Sequence, residues 1–392
     1  MSNGKGGFIG QDGLNAPDEP TGVVATGGIA SVSVAFTAPS DVGASAITSF
    51  RAQVAGIGTS GTSSPLVVTG LTNGTAYTAN VWAINAFGTS SPSAASASFT
   101  PAGARGVFAG GYADESLNTI DYITIATDGN ASDFGDLTRT TAFFPGGTSS
   151  STRGIFSGGM DGGSGITNVI DYITISSTGN ATDFGNLSVA SKAGHAHAST
   201  TRGVIILGAT AAAPNGLNTI EYITIANTGN TTDFGNLSAL KTYGASCASP
   251  TRGVILIGGD TNTIEYITIA NTGNTTDFGN LVTTTENGAG GISSETRGVF
   301  FLGGNNNIEF ITIASTGNAT DFGNVTAATG SGLTGSVSSS TKGVTPVGHI
   351  GSVTNILEKI TIASTGNGAD FGDLTVARYG VGGCSNDHGG LQ

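Results

Sequence analysis

Two patterns of apolar and polar positions divide the chain. Between Pro17 and Pro101, short runs alternate with period two: TGVVATGG, SVSVAFTAP, AITSFRAQVAG, PLVVTGL, AYTANVWAIN and a last run ending in SASFTP, set apart by Gly, Ser and Pro. Such alternation places every second side chain on one face of a half-buried strand, and runs at this spacing predict a small β-sandwich over residues 16–101. From residue 102 to 392 a longer unit recurs. YITIATDGNASDFGDL, YITISSTGNATDFGNL, two copies of YITIANTGNTTDFGNL, FITIASTGNATDFGNV and KITIASTGNGADFGDL are six writings of one phrase.

A second phrase runs in step with the first. RGVFAGG, RGIFSGG, RGVIILG, RGVILIGG, RGVFFLGG and KGVTPVG place Arg105, Arg153, Arg202, Arg252, Arg297 and Lys342 at intervals of 48, 49, 50, 45 and 45 residues. Units of about this length accommodate four short strands each, the period of propeller blades rather than of helical solenoids. The first unit opens at its second strand, whereas the chain ends with an additional innermost strand in VARYGVGGCSND. The expectation is therefore an all-β chain whose six-bladed β-propeller is closed by the C-terminal strand, which removes exposed sheet edges. A unit of this kind cannot bury both faces alone, so its repetition is structural first. In STGNATDFG, Thr-Gly-Asn is read as the turn joining the third and fourth strands, with Gly and Asn chosen for positive φ.

Within the first region, LTNGTAYTANVWAINAFGTSSPS resembles the fibronectin type III signature. Leu71, Gly74 and Tyr77 stand where that family builds its tyrosine corner, followed by Asn85, Gly88 and Pro92. Phe36 and Phe50 stand where the family has a strand-B tryptophan and commonly a strand-C tyrosine. The resemblance implies a spacer or display module. The repeats resemble kelch units: a Gly pair after the second strand, Tyr in the third, and an aromatic in the fourth, here Phe134 and its equivalents where kelch has Trp.

Composition narrows the function. Only 10% of the 392 residues are charged and the net charge is −13, so the clustered Lys and Arg needed to neutralise phosphates are missing and nucleic acid is not an expected partner. No run of 18 apolar residues occurs and the start MSNGKGGFIG has no signal-like apolar core, so neither membrane insertion nor Sec export is expected. Residues 1–15 are Gly-rich and too short for a core, and read as an anchoring arm. Cys247 and Cys384 are too few for a disulfide framework and fall in units too far apart to pair.

Candidate chemistry is thin. Asp121, Asp171, Glu221, Glu265, Glu309 and Glu358 repeat once per unit, as do the six bases, and are expected to pair across strands or blades. A glycosidase needs two carboxylates at one locus, not acids spread symmetrically. ATDFGNL has only a faint likeness to the sialidase Asp-box, whose Trp it lacks, and the ligand set of a copper oxidase cannot be assembled. His195 and His197 in GHAHAS share a face of an innermost strand and have the spacing for a metal; small or polar residues lining a water-filled channel are the plainer reading. Asn130, Asn180 and Asn230 begin N-x-Ser/Thr sequences and are read as turn residues. No catalytic residue, metal or cofactor is expected.

The loops between second and third strands vary in length and chemistry: YADESLN, MDGGSGITN, ATAAAPNGLN, DTN, NNN and HIGSVTN. Loops on a rigid scaffold carry recognition, so Tyr112, Asp114, Asp161, Asn215, Asp260, Asn305, Asn306 and His349 are the candidate ligand-binding residues, suited to glycan hydroxyls. The order of Gly-rich arm, fibronectin-like module and ITIASTGNATDFG repeats resembles virion appendage proteins of tailed bacteriophages. That resemblance implies a non-enzymatic virion protein, made in a bacterial host's cytoplasm, held to other virion proteins by its arm and facing a host-surface glycan or protein. A bacterial surface adhesin or a carbohydrate-active propeller enzyme is the alternative.

Overall fold

The computed structural model describes residues 16–142, 146–162, 165–213, 216–284, 288–326 and 335–387. The anchoring arm expected at 1–15 lies outside the described residues. Among them the regular structure is antiparallel β-sheet, without helix. The chain separates into two compact units at Gly103/Ala104.

The first unit has six strands, β1 (Thr21–Gly28), β2 (Ser31–Thr37), β3 (Ile47–Val54), β4 (Ile57–Gly61), β5 (Leu66–Thr69) and β6 (Asn80–Asn85), in two sheets ordered β1-β2-β5 and β4-β3-β6. The alternation fixes which side chains meet: Val32, Val34, Leu66 and Val68 from one sheet share a core with Phe50, Ala52, Val54, Val81 and Ala83 from the other. Phe36 and Phe50 pack with ring centroids 4.8 Å apart. The Tyr77 hydroxyl accepts the Thr72 N–H at 3.3 Å.

Two expectations for this unit are corrected. β4 is an additional strand, reached from β3 through Ala55 and Gly56, whose φ values of 47° and 88° form a tight hairpin without the usual Asn-Gly signal. The run ending in SASFTP is not a ladder strand. Ser90, Ser93 and Ser96 each donate their N–H to β6 or its approach, at the Ala83, Val81 and Ala79 carbonyls (2.9 Å each). Their hydroxyls accept the N–H of those same residues at 2.9, 3.0 and 3.0 Å. A hydroxyl thus replaces the ladder carbonyl as acceptor, and the segment advances three residues per contact instead of two.

The second unit holds six four-stranded sheets among the described residues. Taken from innermost to outermost strand, sheet one is Gly382–Ser385, Arg105–Ala109, Leu117–Thr124 and Ser132–Thr141; sheet two is Gly146–Ser149, Arg153–Ser157, Val169–Thr174 and Thr182–Asn186. Sheet three is His195–Ala198, Arg202–Ile206, Leu217–Thr224 and Thr232–Lys241, and sheet four is Ala245–Ala248, Arg252–Leu256, Thr263–Thr268 and Thr276–Asn280. Sheet five is Ala289–Ser293, Arg297–Leu302, Asn307–Thr312 and Thr320–Asn324, and sheet six is Val337–Ser338, Lys342–Pro346, Ile356–Thr361 and Ala369–Asp373. The C-terminal strand joins sheet one with Cys384 opposite Val107.

Period-two alternation makes both faces of each third strand apolar. In VIDYITI, Ile170 and Tyr172 pack toward sheet three, while Ile173 and Ile175 pack toward sheet one beside Ile120 and Phe134. Each such fully buried isoleucine is worth about 1.5–3 kcal/mol relative to exposure, so the cores between sheets, not within them, hold the unit together.

Three further contacts repeat at every junction. The glycine of each Arg-Gly or Lys-Gly receives a side chain from the preceding sheet's innermost strand: Cys384 lies against Gly154, Thr148 against Gly203, His197 against Gly253, Cys247 against Gly298, Ile292 against Gly343 and Val337 against Gly106. A Cβ at any of these glycines would come within 3.1 Å of that neighbour. The Thr-Gly-Asn turn docks on the preceding sheet's outer strand, for example by Gly229 N–H to the Phe184 carbonyl at 2.7 Å and by Asn230 Oδ1 accepting the Asn186 N–H at 3.0 Å. The same pair of bonds joins Gly129 and Asn130 of sheet one to Phe371 and Asp373 of sheet six, at 2.8 and 3.1 Å. The asparagines that begin N-x-Ser/Thr sequences, read as turn formers, thus serve as clamps between sheets; they are not among the positive-φ residues.

The charges are arranged differently from the expected base–acid pairing. The acids of the third strands are buried and accept from residues in the last part of the preceding sheet's outer strand or just past it: Thr138 Oγ1 to Asp171 at 2.7 Å, Thr375 Oγ1 to Asp121 at 2.7 Å, Val282 N–H to Glu309 at 2.7 Å. The repeated arginines instead lie over the aromatic of their own third strand, Arg153 over Tyr172 at 4.4 Å, and donate to a main-chain carbonyl of the next sheet, Arg153 to Ile225 at 2.8 Å. Among the described residues, only Lys342 of the six bases forms an ion pair, with Asp128. The reason is one of faces: the acid points back toward one neighbour while the base reaches forward to the other. Two acids do meet an arginine, but a non-repeated one: Arg139 with Asp171 at 3.5 Å, and Arg378 with Asp121 at 3.0 Å, the latter pair wholly buried.

Candidate recognition face and central strands

The loops after the second strands share a face with the connections that lead from one sheet's outer strand to the next innermost strand, and at three junctions main-chain bonds stitch them together. Tyr112 and Tyr379 exchange N–H···O bonds at 2.9 and 3.1 Å, Ala142 and Met160 at 2.7 and 2.8 Å, and Lys192 and Ala209 at 2.9 and 2.8 Å. Loop side chains on this face are therefore held by the scaffold.

At the junction of sheets six and one this places three aromatic rings together. Tyr379 takes the edges of Tyr112 and His349, each with centroids 5.7 Å away and planes at 68°. All three are half-buried, and Ile350 beside His349 is exposed. Burial, and then the neighbouring Tyr112, raises the Tyr379 hydroxyl above its ordinary value. Next along the face, the Asp161 carboxylate accepts Thr140 Oγ1 at 3.2 Å and the Gly162 N–H at 2.7 Å, and Gly162 lies near Ser116, which bridges to Tyr112.

The remaining candidates do not join this cluster. Asp114 is exposed on the same loop as Tyr112. Asp260 is exposed with φ of 58°, a turn residue of sheet four. Asn305 Oδ1 accepts the Asn307 N–H at 2.9 Å and the Asn306 carbonyl accepts the Val325 N–H at 2.9 Å, so both shape the short turn of sheet five. Asn215 lies outside the described residues. Tyr379, the centre of the cluster, was not anticipated; it sits in a connection between sheets, and the rule that such connections share the loop face would have found it.

Among the described residues the innermost strands approach one another closely. Gly147 meets Gly383 and Gly291 meets Ser246 backbone to backbone, leaving a cavity of about 20 Å³ lined by His195, Ser246, Ser336 and glycines, room for about one water. His195 and His197 do share a face, but His197 is fully buried against Gly253 with both ring nitrogens lacking a hydrogen-bond partner. Burial lowers both imidazoles to about 3, so they are neutral at ordinary pH. No group of three or more His, Cys, Asp or Glu able to hold a metal occurs among the described residues. Cys247 and Cys384 are free thiols, pushed upward in pKa by burial and therefore unreactive.

No protein family and no curated protein matches the chain. Among solved structures, domains A168-A170 of titin align at 28% identity over 22% of this chain and 32% of theirs, with a TM-score of 0.21. The chain thus spans about a third of that fragment, and a likeness of this size carries no argument about fold or function.

Proposed function

We propose that the chain is a non-enzymatic structural protein of a tailed-phage virion, in which a fibronectin type III-like sandwich serves as spacer and a six-bladed, kelch-like β-propeller presents its loop face to a host-surface glycan or protein. The propeller reading is supported by six four-stranded sheets joined in succession by the same contacts, with sheet six meeting sheet one as the others meet their neighbours. The fibronectin reading is supported by the Tyr77–Thr72 contact beside a buried Leu71. The attachment reading rests on one observation above the others. The structural edge repeats unit by unit, while among the described residues the loop face carries one aromatic cluster, centred on Tyr379. Half-exposed rings offer faces to sugar C–H groups, and Asp161 lies farther along the same face. The arm at residues 1–15 would dock on other virion proteins.

A glycan array probed with the intact protein and with Tyr379→Ala tests this. Binding by the intact protein, lost in the variant with an unchanged melting temperature, is expected. Equal binding by both would move the recognition surface elsewhere, and release of product from any bound glycan would refute the non-enzymatic reading. Deleting residues 1–15 is expected to abolish incorporation into particles while leaving the soluble fold unchanged.

A further inference from the structure

Five of the six junctions use one chemistry and the sixth departs from it. At the five, an arginine lies over the aromatic of its own third strand and donates to a carbonyl past the next sheet's third strand, as Arg252 does over Tyr266 and to Ile313 at 2.9 Å. The turn it approaches carries a threonine at the position before the Gly-Asn pair, Thr316 in that case. Where sheet six meets sheet one, three positions change together. Lys342 replaces the arginine, Lys359 replaces the Tyr or Phe, and Asp128 replaces the threonine. These three side chains, scattered in sequence, converge: Lys342 Nζ donates to the Ala126 carbonyl and to Asp128 at 3.1 Å each, and Lys359 Nζ pairs with the other carboxylate oxygen of Asp128.

We propose that Asp128, Lys342 and Lys359 form a registration lock that makes sheet six dock on sheet one and on no other. Near-identical sheets create a specific hazard. The glycine, asparagine and carbonyl contacts of one junction are available at every junction, so a folding chain can close too early, sheet five on sheet one or sheet six on sheet two, or join a second copy out of step. Only the correct closure places both lysines against the carboxylate. Sheet five brings Arg297 but a phenylalanine, Phe310, in place of the second cation; sheet two offers Lys342 and Lys359 the neutral Thr178. The pairs are partly exposed, so they add little to the stability of the finished fold and act mainly by discriminating between closures. The inference rests on the six-sheet closure proposed above.

The test is refolding from denaturant at low salt, followed by size-exclusion chromatography with light scattering and by particle imaging. The variant Asp128→Thr, Lys342→Arg, Lys359→Tyr makes the sixth junction like the rest. It is expected to keep β-sheet content but to yield at least about threefold more mis-closed or oligomeric species than the native sequence, in line with two exposed pairs. Native protein refolded at high salt should shift the same way. The charge-exchanged variant Asp128→Lys, Lys342→Glu, Lys359→Glu should restore the native monomer fraction. Unchanged refolding of the first variant, or failure of the exchanged variant to recover, overturns the lock. Images of native monomers with a count of sheets other than six would instead overturn the propeller reading on which it stands.

Discussion

The outer edge and the loop face of the second unit are built on opposite principles. At the edge, the Gly-Asn turn of one sheet meets Asp-Phe-Gly of the preceding one through the same bonds at every junction, Gly273 N–H to Phe234 at 2.7 Å being matched by Gly366 N–H to Phe322 at 2.8 Å. On the loop face the loops differ in length and side chains, and among the described residues the junction of sheets six and one gathers three aromatic rings. The difference teaches how the sequence distributes its constraints. A docking surface used six times must stay the same six times, because each unit is both donor and acceptor to its neighbours. A loop held at its base by one pair of main-chain bonds can change freely at its tip.

The comparison breaks most severely where a buried charge is stranded. Arg378→Met leaves Asp121, at 0% exposure, without its counter-ion and should cost about 3–5 kcal/mol, read as a fall in the urea midpoint at unchanged slope. At the edge itself, Gly235 has φ of 150° and a Cβ there would drive into the Gly273 carbonyl. Gly235→Ala should therefore destabilise by about 2–3 kcal/mol, whereas Gly165→Ala, in a short strand paired with Met160–Asp161 and with nothing near its Cβ, should leave the midpoint where it is.

The innermost strands add a dependence on pH through His197. Its imidazole and that of His195 are held near 3 by burial, against 6.5 in an unfolded chain. The folded state favours the neutral form, so this contribution is complete above pH 6.5 and is lost as pH falls toward 3, by about 1.4 kcal/mol per pH unit for each histidine. His197→Val, which copies Val337 at the corresponding place, should flatten the acid limb of a stability–pH curve; an unchanged limb would show that the ring is not buried as described. The smallest loss belongs to a single clamp. Asn230→Ala removes one side-chain acceptor at the surface and should cost about 0.5–1.5 kcal/mol in thermal unfolding.

Much of this scaffold could be read in the chain beforehand, because a six-fold phrase constrains its own interpretation. The spacing of Arg105, Arg153 and their successors announced four strands per unit, and the surplus strand around Cys384 announced its partner near Val107. What escaped was contact between units. Asn230 looks like an ordinary turn residue until its side-chain Oδ1 is seen accepting the Asn186 N–H, 44 residues earlier. The acids and bases looked complementary because sign is visible in a sequence and facing is not: Asp171 looks back to Thr138 while Arg153 reaches forward to Ile225. Loop variability and polar, glycan-suited chemistry point to Tyr112 and His349 but do not show that Tyr379 brings them together. In the first unit, the positive-φ hairpin at Ala55 and Gly56 and the segment from Ser90 whose hydroxyls stand in for ladder carbonyls are solutions that composition does not announce.

Hydrogen exchange of residues 105–109, in the intact chain and after removal of residues 382–392, tests the central claim most directly. If the C-terminal strand completes sheet one, these amides exchange as slowly as those of residues 153–157 in the intact chain and lose that protection in the shortened one, while residues 202–206 stay protected in both. Equal exchange of residues 105–109 with and without the C-terminal strand would contradict the closure and the face built on it.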